Sequence, residues 1–260
     1  MEWIYNLLEQ LLPFGWIQYD FMKNAFLAVL IITPLFGLLG TMIVNNRMAF
    51  FSEALGHSAF TGIAIGVLFG LTDTSLSMVI FAVVFALALN RIKRMNTITT
   101  DTIISVFASL STAVGLVMLS KGGNFAKYSN ILVGDILSIN GKEILLLLGI
   151  FCATLVFWMV AFNKLHALSV NSALAKSKGI HIVLIDNLFV VLIAVIVMLS
   201  IKWVGILIIN ALLILPAAAS RNIASDMREY HLFSILISVF SGIAGLLLSY
   251  YNSTATGPTI

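Results

Sequence analysis

AFLAVLIITPLFGLLGTMIV, residues 25–44, runs without a single charged side chain. At 1.5 Å per residue, a helix of this length reaches about 30 Å, the thickness of a bilayer's hydrocarbon core. Only helices and closed barrels satisfy every backbone amide and carbonyl in lipid, and apolar runs this long select the helix. Comparable runs recur, and they predict membrane spans at about 22–44, 50–71, 74–90, 102–120, 143–162, 183–201, 203–220 and 231–250. The chain reads as all-α, a polytopic transmembrane helical bundle of about eight spans forming one domain over residues 1–260. ILVGDILSIN, 131–140, is too short for a span and carries Gly134 and Asp135, so it predicts a half-helix or re-entrant piece buried in protein.

Composition agrees. Hydrophobic residues make up 60% of the chain and charged ones 10%, against about 25% charged in an average soluble domain. The net charge of +3 follows from loop bias and gives no reason to expect nucleic acid as a partner. Lys and Arg gather in cytoplasmic loops. One set of loops holds Arg47, Arg91, Lys93, Arg94, Lys164, Lys176, Lys178, Arg221 and Arg228, and the other only Lys23, Lys121, Lys127, Lys142 and Lys202. The first set is therefore expected inside, with both termini outside. MEWIYNLLEQLLPFGW lacks the basic start of a signal peptide and predicts an interfacial helix anchored by Trp3, Tyr5 and Trp16.

Several chemistries are absent. No GxxxxGK[ST] phosphate loop is present: Gly134 to Lys142 has the wrong spacing and Glu143 where a hydroxyl is required. HExxH is absent too, and the lone Cys152 inside a span supports neither a disulfide framework nor a cysteine metal site. No catalytic residue and no permanent cofactor is expected.

FFSEALGHSAFTGIAIG, 50–66, interrupts this apolar character with Glu53 and His57. Residues four apart share a helix face, so a carboxylate and an imidazole converge there. That donor pair suits zinc, manganese, iron or nickel. Thr61 extends the polar stripe by a turn, and Ala54, Ser58, Gly62, Gly66 and Gly70 form a small-residue stripe beside it, suited to close helix approach. The plain alternative is a local hydrogen bond near the inner interface, but ionisable groups inside spans are costly and usually mark a pathway.

NNRMAFFSEALGHSAFTGIAIG, 45–66, resembles the first signature of the zinc and manganese permeases of the ABC transporter superfamily. WVGILIINALLILPAAASRNIA, 203–224, is similar to a second block of that family, and NSALAKSKGI, 171–180, to its cytoplasmic segment. VGDILSI, 133–139, and ATGPTI, 255–260, are smaller echoes, so the resemblance covers nearly the whole chain. It implies the membrane-spanning subunit of an ATP-driven importer of Zn2+ or Mn2+ in a bacterial cell membrane. The implied partners are a cytoplasmic ABC ATPase, which alone binds ATP, an extracytoplasmic metal-binding protein, and a second copy of the chain. Glu53 and His57 fall on the family's metal ligands, and the segment at about 164–181, with Asn171, Ala175, Lys176, Lys178 and Gly179, on its coupling helix to the ATPase.

Three departures stand out. Glu53 occupies a position usually held by Asp, and Gly56 one usually held by Ser or Ala, where it could mark a bend. The family pattern also implies a further apolar segment after the Gly-Pro step at 257–258, so the last helix is either absent or the chain shortened. An alternative from another class is an ATPase-independent secondary transporter or channel in which Glu53 and His57 relay protons. A purely structural membrane subunit is a third. Among other polar residues, Asp101 is expected to cap a helix, Asp135 to face an outer vestibule or cap a turn, and Asp186 to pair with Lys178 or neighbours of Lys202. His166, His181 and His231 are expected at loop edges, and Pro34 and Pro216 as kinks.

Overall fold

The computed structural model describes residues 2–11, 15–71, 73–95, 100–121 and 128–260. The helices are α1 (Glu2–Leu11), α2 (Asp20–Asn45), α3 (Ala49–Leu68), α4 (Ser75–Met95), α5 (Thr100–Lys121), α6 (Gly141–Val170), α7 (Ser172–Ser177), α8 (Ile182–Val204), α9 (Ile206–Arg221), α10 (Met227–Asn252) and α11 (Thr256–Thr259). Seven of them, α2 to α6, α8 and α10, are long and apolar enough to cross a membrane, and α9 is a shorter apolar helix of 16 residues. Helices therefore cover all eight expected spans, seven of them at full crossing length. Pro34 and Pro216 both lie inside helices that continue past them.

α2 and α3 form the centre. Their most apolar windows are each 72% buried, against 28% for α5 and α6, so the latter are peripheral. In lipid, packing and interhelical hydrogen bonds replace the hydrophobic drive that holds soluble bundles together. α10 accordingly straps α2 with Ser234 Oγ donating to Gly37 O at 2.7 Å and Ser238 Oγ to Thr33 O at 2.7 Å. Gly62 lies against Met78 of α4, where an added Cβ would stand 2.8 Å from its Cα, and Gly66 lies against Ser77, so these two members of the small-residue stripe form the α3–α4 packing face. Gly56 lies against Ile206 of α9 within an unbroken α3, a close approach rather than a bend.

The larger set of basic residues marks one end of the bundle. There Arg94 Nη2 meets Asp186 Oδ2 at 2.7 Å, joining α4 to α8, and Asn45 Nδ2 donates to Ser169 Oγ at 2.9 Å, joining α2 to α6. Asp186 thus pairs with Arg94 rather than with Lys178 or neighbours of Lys202, because it sits one helical turn into α8, facing the end of α4. Both ends of the described chain meet at the opposite end: Tyr5 OH donates to Asn24 Oδ1, Asn24 Nδ2 donates to Ile139 O, and Gly257 lies on Val133. Lys23 holds α1 there through Glu9 at 2.5 Å and also pairs with Asp20 of its own helix at 3.1 Å. Trp3 is exposed, but Trp16 is buried against Phe26, so it is a packing residue and not an interfacial anchor.

The stretch 131–140 forms no half-helix. It makes two 3-10 turns, Ser129–Leu132 and Ile136–Ser138, whose backbone leans on the α8–α9 junction, with Asp135 N donating to Lys202 O at 3.4 Å. Asp135 caps the second turn through Leu137 N at 3.1 Å. Asn140 and Glu143 form a capping box that starts α6, and Glu143 also pairs with Lys202 at 3.1 Å. At the same end Asp73 accepts the Ser75 backbone N–H at 2.9 Å, which holds its carboxyl below the usual range. Asp101 is the second residue of α5, and its expected capping role rests on a side chain outside the described residues.

α6 is 30 residues long and carries Lys164 and His166 in its last turns, so the polar segment beyond it begins only at Asn171. A lysine near a helix end reaches the interface along its own stem and does not stop the helix. His231 corrects another expectation. It is 7% exposed and lies inside α10, where Nδ1 meets Met227 O at 2.5 Å and the ring packs edge-on to Trp158 and Phe162.

Candidate functional site

The two polar residues of α3 are held by a helix that neighbours grip on every other side. Counting from Ala49, Glu53 lies one turn in and His57 two turns in, on one face. Glu53 Oε1 and His57 Nε2 are 3.9 Å apart, too far for a hydrogen bond. Donors that share one ion at about 2.1 Å each lie roughly 3 to 3.5 Å apart. The pair therefore needs only a small side-chain adjustment to close on a single cation. Side-chain exposures of 43% and 32% show that both reach open space inside an otherwise buried span.

That space is a cavity of about 500 Å³ between α3 and α5. Glu53, His57, Phe50 and Ala54 form its α3 wall, and Ser105, Ser109 and Thr112 place three hydroxyls on the α5 wall. The α3–α5 crossing fixes the distance between the walls. Gly115 sits so close to α3 that a Cβ would stand 2.5 Å from Thr61 N, and Thr61 Oγ1 donates to Ser111 O with Ser111 Oγ at 3.0 Å. Thr61 therefore serves as an interhelical tie and does not extend the ligand stripe into the cavity. Behind the site, Ser52 Oγ donates to Asn210 Oδ1 of α9 at 2.7 Å, fixing α3 from its far side.

Two contributors went unnoticed in the sequence. The hydroxyls at 105, 109 and 112 lie on one helical face of α5, a spacing visible in the chain once α5 is known to face α3. Asn210, a lone amide in an apolar span, was the other visible signal. Among the described residues no group of three or more His, Cys, Asp or Glu converges, so the cavity offers one carboxylate and one imidazole.

The segment after α6 has its own local logic. Asn171 Oδ1 accepts the Ala173 N–H at 2.9 Å and starts α7; Gly179 N and Ile180 N then bond back to Lys176 O and Ala175 O at 3.0 and 3.2 Å. Gly179 takes φ +74°, the left-handed turn that ends such a helix. Ala175 is fully buried, while Lys176 and Lys178 are exposed. The result is a short, capped helix anchored on one face and basic on the other.

A bundle of eight apolar helices, with a cavity inside its spans that carries a carboxylate, an imidazole and three hydroxyls, is the architecture of a multi-pass membrane protein. Its architecture matches PsaBC from Streptococcus pneumoniae, solved in complex with Fab: TM-score 0.80 and 24% identity, over 100% of this chain and 91% of that one. The chain belongs to the ABC 3 transport family, whose profile matches residues 18–260. The high-affinity zinc uptake system membrane protein ZnuB of Haemophilus influenzae is 30% identical over 245 residues, spanning 94% of this chain and 93% of that protein. The manganese import system permease protein ScaB of Streptococcus parasanguinis is 25% identical over 243 residues, spanning 94% and 86%.

Proposed function

We propose that this chain is the membrane-spanning permease of an ATP-driven importer of zinc or manganese, with Glu53 and His57 as its metal ligands. The observation that carries the reading is the convergence of these two side chains, 3.9 Å apart, on a cavity inside an otherwise apolar span. A carboxylate and an imidazole bind borderline transition metals and leave calcium and magnesium to all-oxygen sites. Relatives over nearly the whole chain bear names of zinc and of manganese import systems, which supports the same cargo.

An open cavity with two strong ligands also favours a second copy of the chain opposite. Two facing protomers would supply two carboxylates and two imidazoles, and would cover charged groups that lipid disfavours. ATP hydrolysis belongs to a cytoplasmic ABC ATPase, which this chain would meet through Asn171, Ala175, Lys176, Lys178 and Gly179. An extracytoplasmic binding protein would deliver the metal. Closure of the ATPase draws the α7 segments together, the bundle accepts the ion on Glu53 and His57, and hydrolysis resets it toward the inside. Such a transport site must bind weakly enough to release its ion, so few ligands per protomer suit it.

The test is metal accumulation in cells expressing the chain with its ATPase and binding protein, comparing wild type with Glu53→Ala and His57→Ala at matched membrane levels. Loss of zinc or manganese uptake in both variants, with the ATPase still copurifying, is the expected result. Undiminished uptake in both would sink the assignment.

A further inference from the structure

The α5 wall of the cavity has a chemistry that the two ligands do not use. Ser105, Ser109 and Thr112 lie at i, i+4 and i+7, on one helical face opposite Glu53 and His57. Most hydroxyls inside this bundle are tied to a carbonyl, as Thr33 is to Val29 O and Thr154 to Ile150 O, both at 2.8 Å. Thr112 is tied in the same way to Ala108 O at 2.8 Å, so toward the cavity its oxygen is an acceptor. Ser105 and Ser109 make no side-chain hydrogen bond among the described residues and keep their full capacity.

An ion held by one carboxylate oxygen and one imidazole nitrogen fills its remaining positions with water or with further donors. Metal-bound water donates strongly, so its hydrogens need acceptors nearby. Apart from the ligands themselves, the cavity lining is apolar at Phe50, Ala54, Ile104 and Leu116 and polar only along the α5 hydroxyls. We propose that Ser105, Ser109 and Thr112 hold the retained water shell of the ion on Glu53 and His57, and that this wall sets the preference between manganese and zinc.

The direction follows from coordination chemistry. Manganese favours oxygen-rich octahedral sites, whereas zinc settles into four-coordinate sites and sheds more water. Removing acceptors for bound water therefore weakens manganese transport more than zinc transport. The inference rests on the reading of Glu53 and His57 as the transport site.

The experiment compares manganese and zinc accumulation, at matched membrane levels and with the whole transporter present, in wild type, Ser105→Ala/Ser109→Ala, Ser105→Thr/Ser109→Thr and Glu53→Ala. The Ala pair should lower the manganese-to-zinc ratio by about fivefold or more, the scale of one or two lost hydrogen bonds. The Thr pair, which keeps both hydroxyls, should restore it. Electron paramagnetic resonance of Mn2+ on the purified transporter should show weaker coupling to water protons in the Ala pair. An unchanged ratio, or equal loss of both metals, overturns the hydroxyl wall while Glu53→Ala still abolishes uptake. If Glu53→Ala transports normally, the site itself is wrong and the wall falls with it.

Discussion

Gly134 and Gly205 lie backbone against backbone, each at positive φ, +73° and +88°, and a Cβ on either would overlap the other's chain. This contact seats the 3-10 turns on the junction where α8 ends and α9 begins. It explains why glycine stands at both 134 and 205.

Gly205→Ala should therefore destabilise the permease by about 1–3 kcal/mol, the scale of a left-handed residue forced on a side chain, with steric overlap added. Thermal unfolding in detergent, followed by size-exclusion chromatography, measures it. Gly70→Ala is the control: its φ is also positive at +69°, but a Cβ there meets nothing within 4 Å, so it should lose less.

The histidines should behave in opposite ways. His231 contributes a ring to the Trp158 and Phe162 cluster and one bond to its own helix, so His231→Phe should keep uptake and cost no more than about 1.5 kcal/mol of stability. His57→Phe should keep the fold and lose uptake, because a phenyl ring has no donor for the ion. Uptake and thermal stability measured on the same two variants separate these outcomes, and the reverse pattern would place the metal site at His231.

The spans were legible because hydrocarbon thickness fixes helix length and so leaves its mark on the sequence. That Glu53 and His57 share one face of α3 was legible from their spacing of four residues, although the cavity they reach was not. What stayed hidden depends on partners distant in the chain. Trp158 and Phe162 bury His231, and Arg94 captures Asp186. The break between the spans at 183–201 and 203–220 was placed a few residues early, and its cause was hidden, because only the opposing backbone of Val133 and Gly134 demands a turn at Gly205. Thr61 was placed on the correct helix face, but its role was decided by Ser111, fifty residues further on.

Gly115 sets the width of the cavity, since it lets α5 approach Thr61 closely. Gly115→Val should push α5 outward, break the Thr61–Ser111 tie and move the hydroxyl wall away from Glu53 and His57. Uptake should fall at least tenfold at matched membrane levels, a loss equivalent to about 1.4 kcal/mol. Wild-type uptake in this variant would show that the α3–α5 spacing is not critical.

The final prediction separates an ATP-driven permease from an ATPase-independent transporter. Lys176 and Lys178 are exposed on α7 and its exit, away from the buried Ala175 that anchors the segment. Lys176→Glu/Lys178→Glu reverses the charge of this surface without touching the anchor, so the fold should survive. If the segment docks on an ATPase, the double variant should lose copurification of that subunit and uptake together, while Glu53→Ala loses uptake and keeps copurification. Metal-stimulated ATP hydrolysis in proteoliposomes should vanish in the first variant for want of the ATPase. Uptake that survives both the charge reversal and omission of the ATPase would assign the driving force to an ion gradient, with Glu53 and His57 as a proton relay.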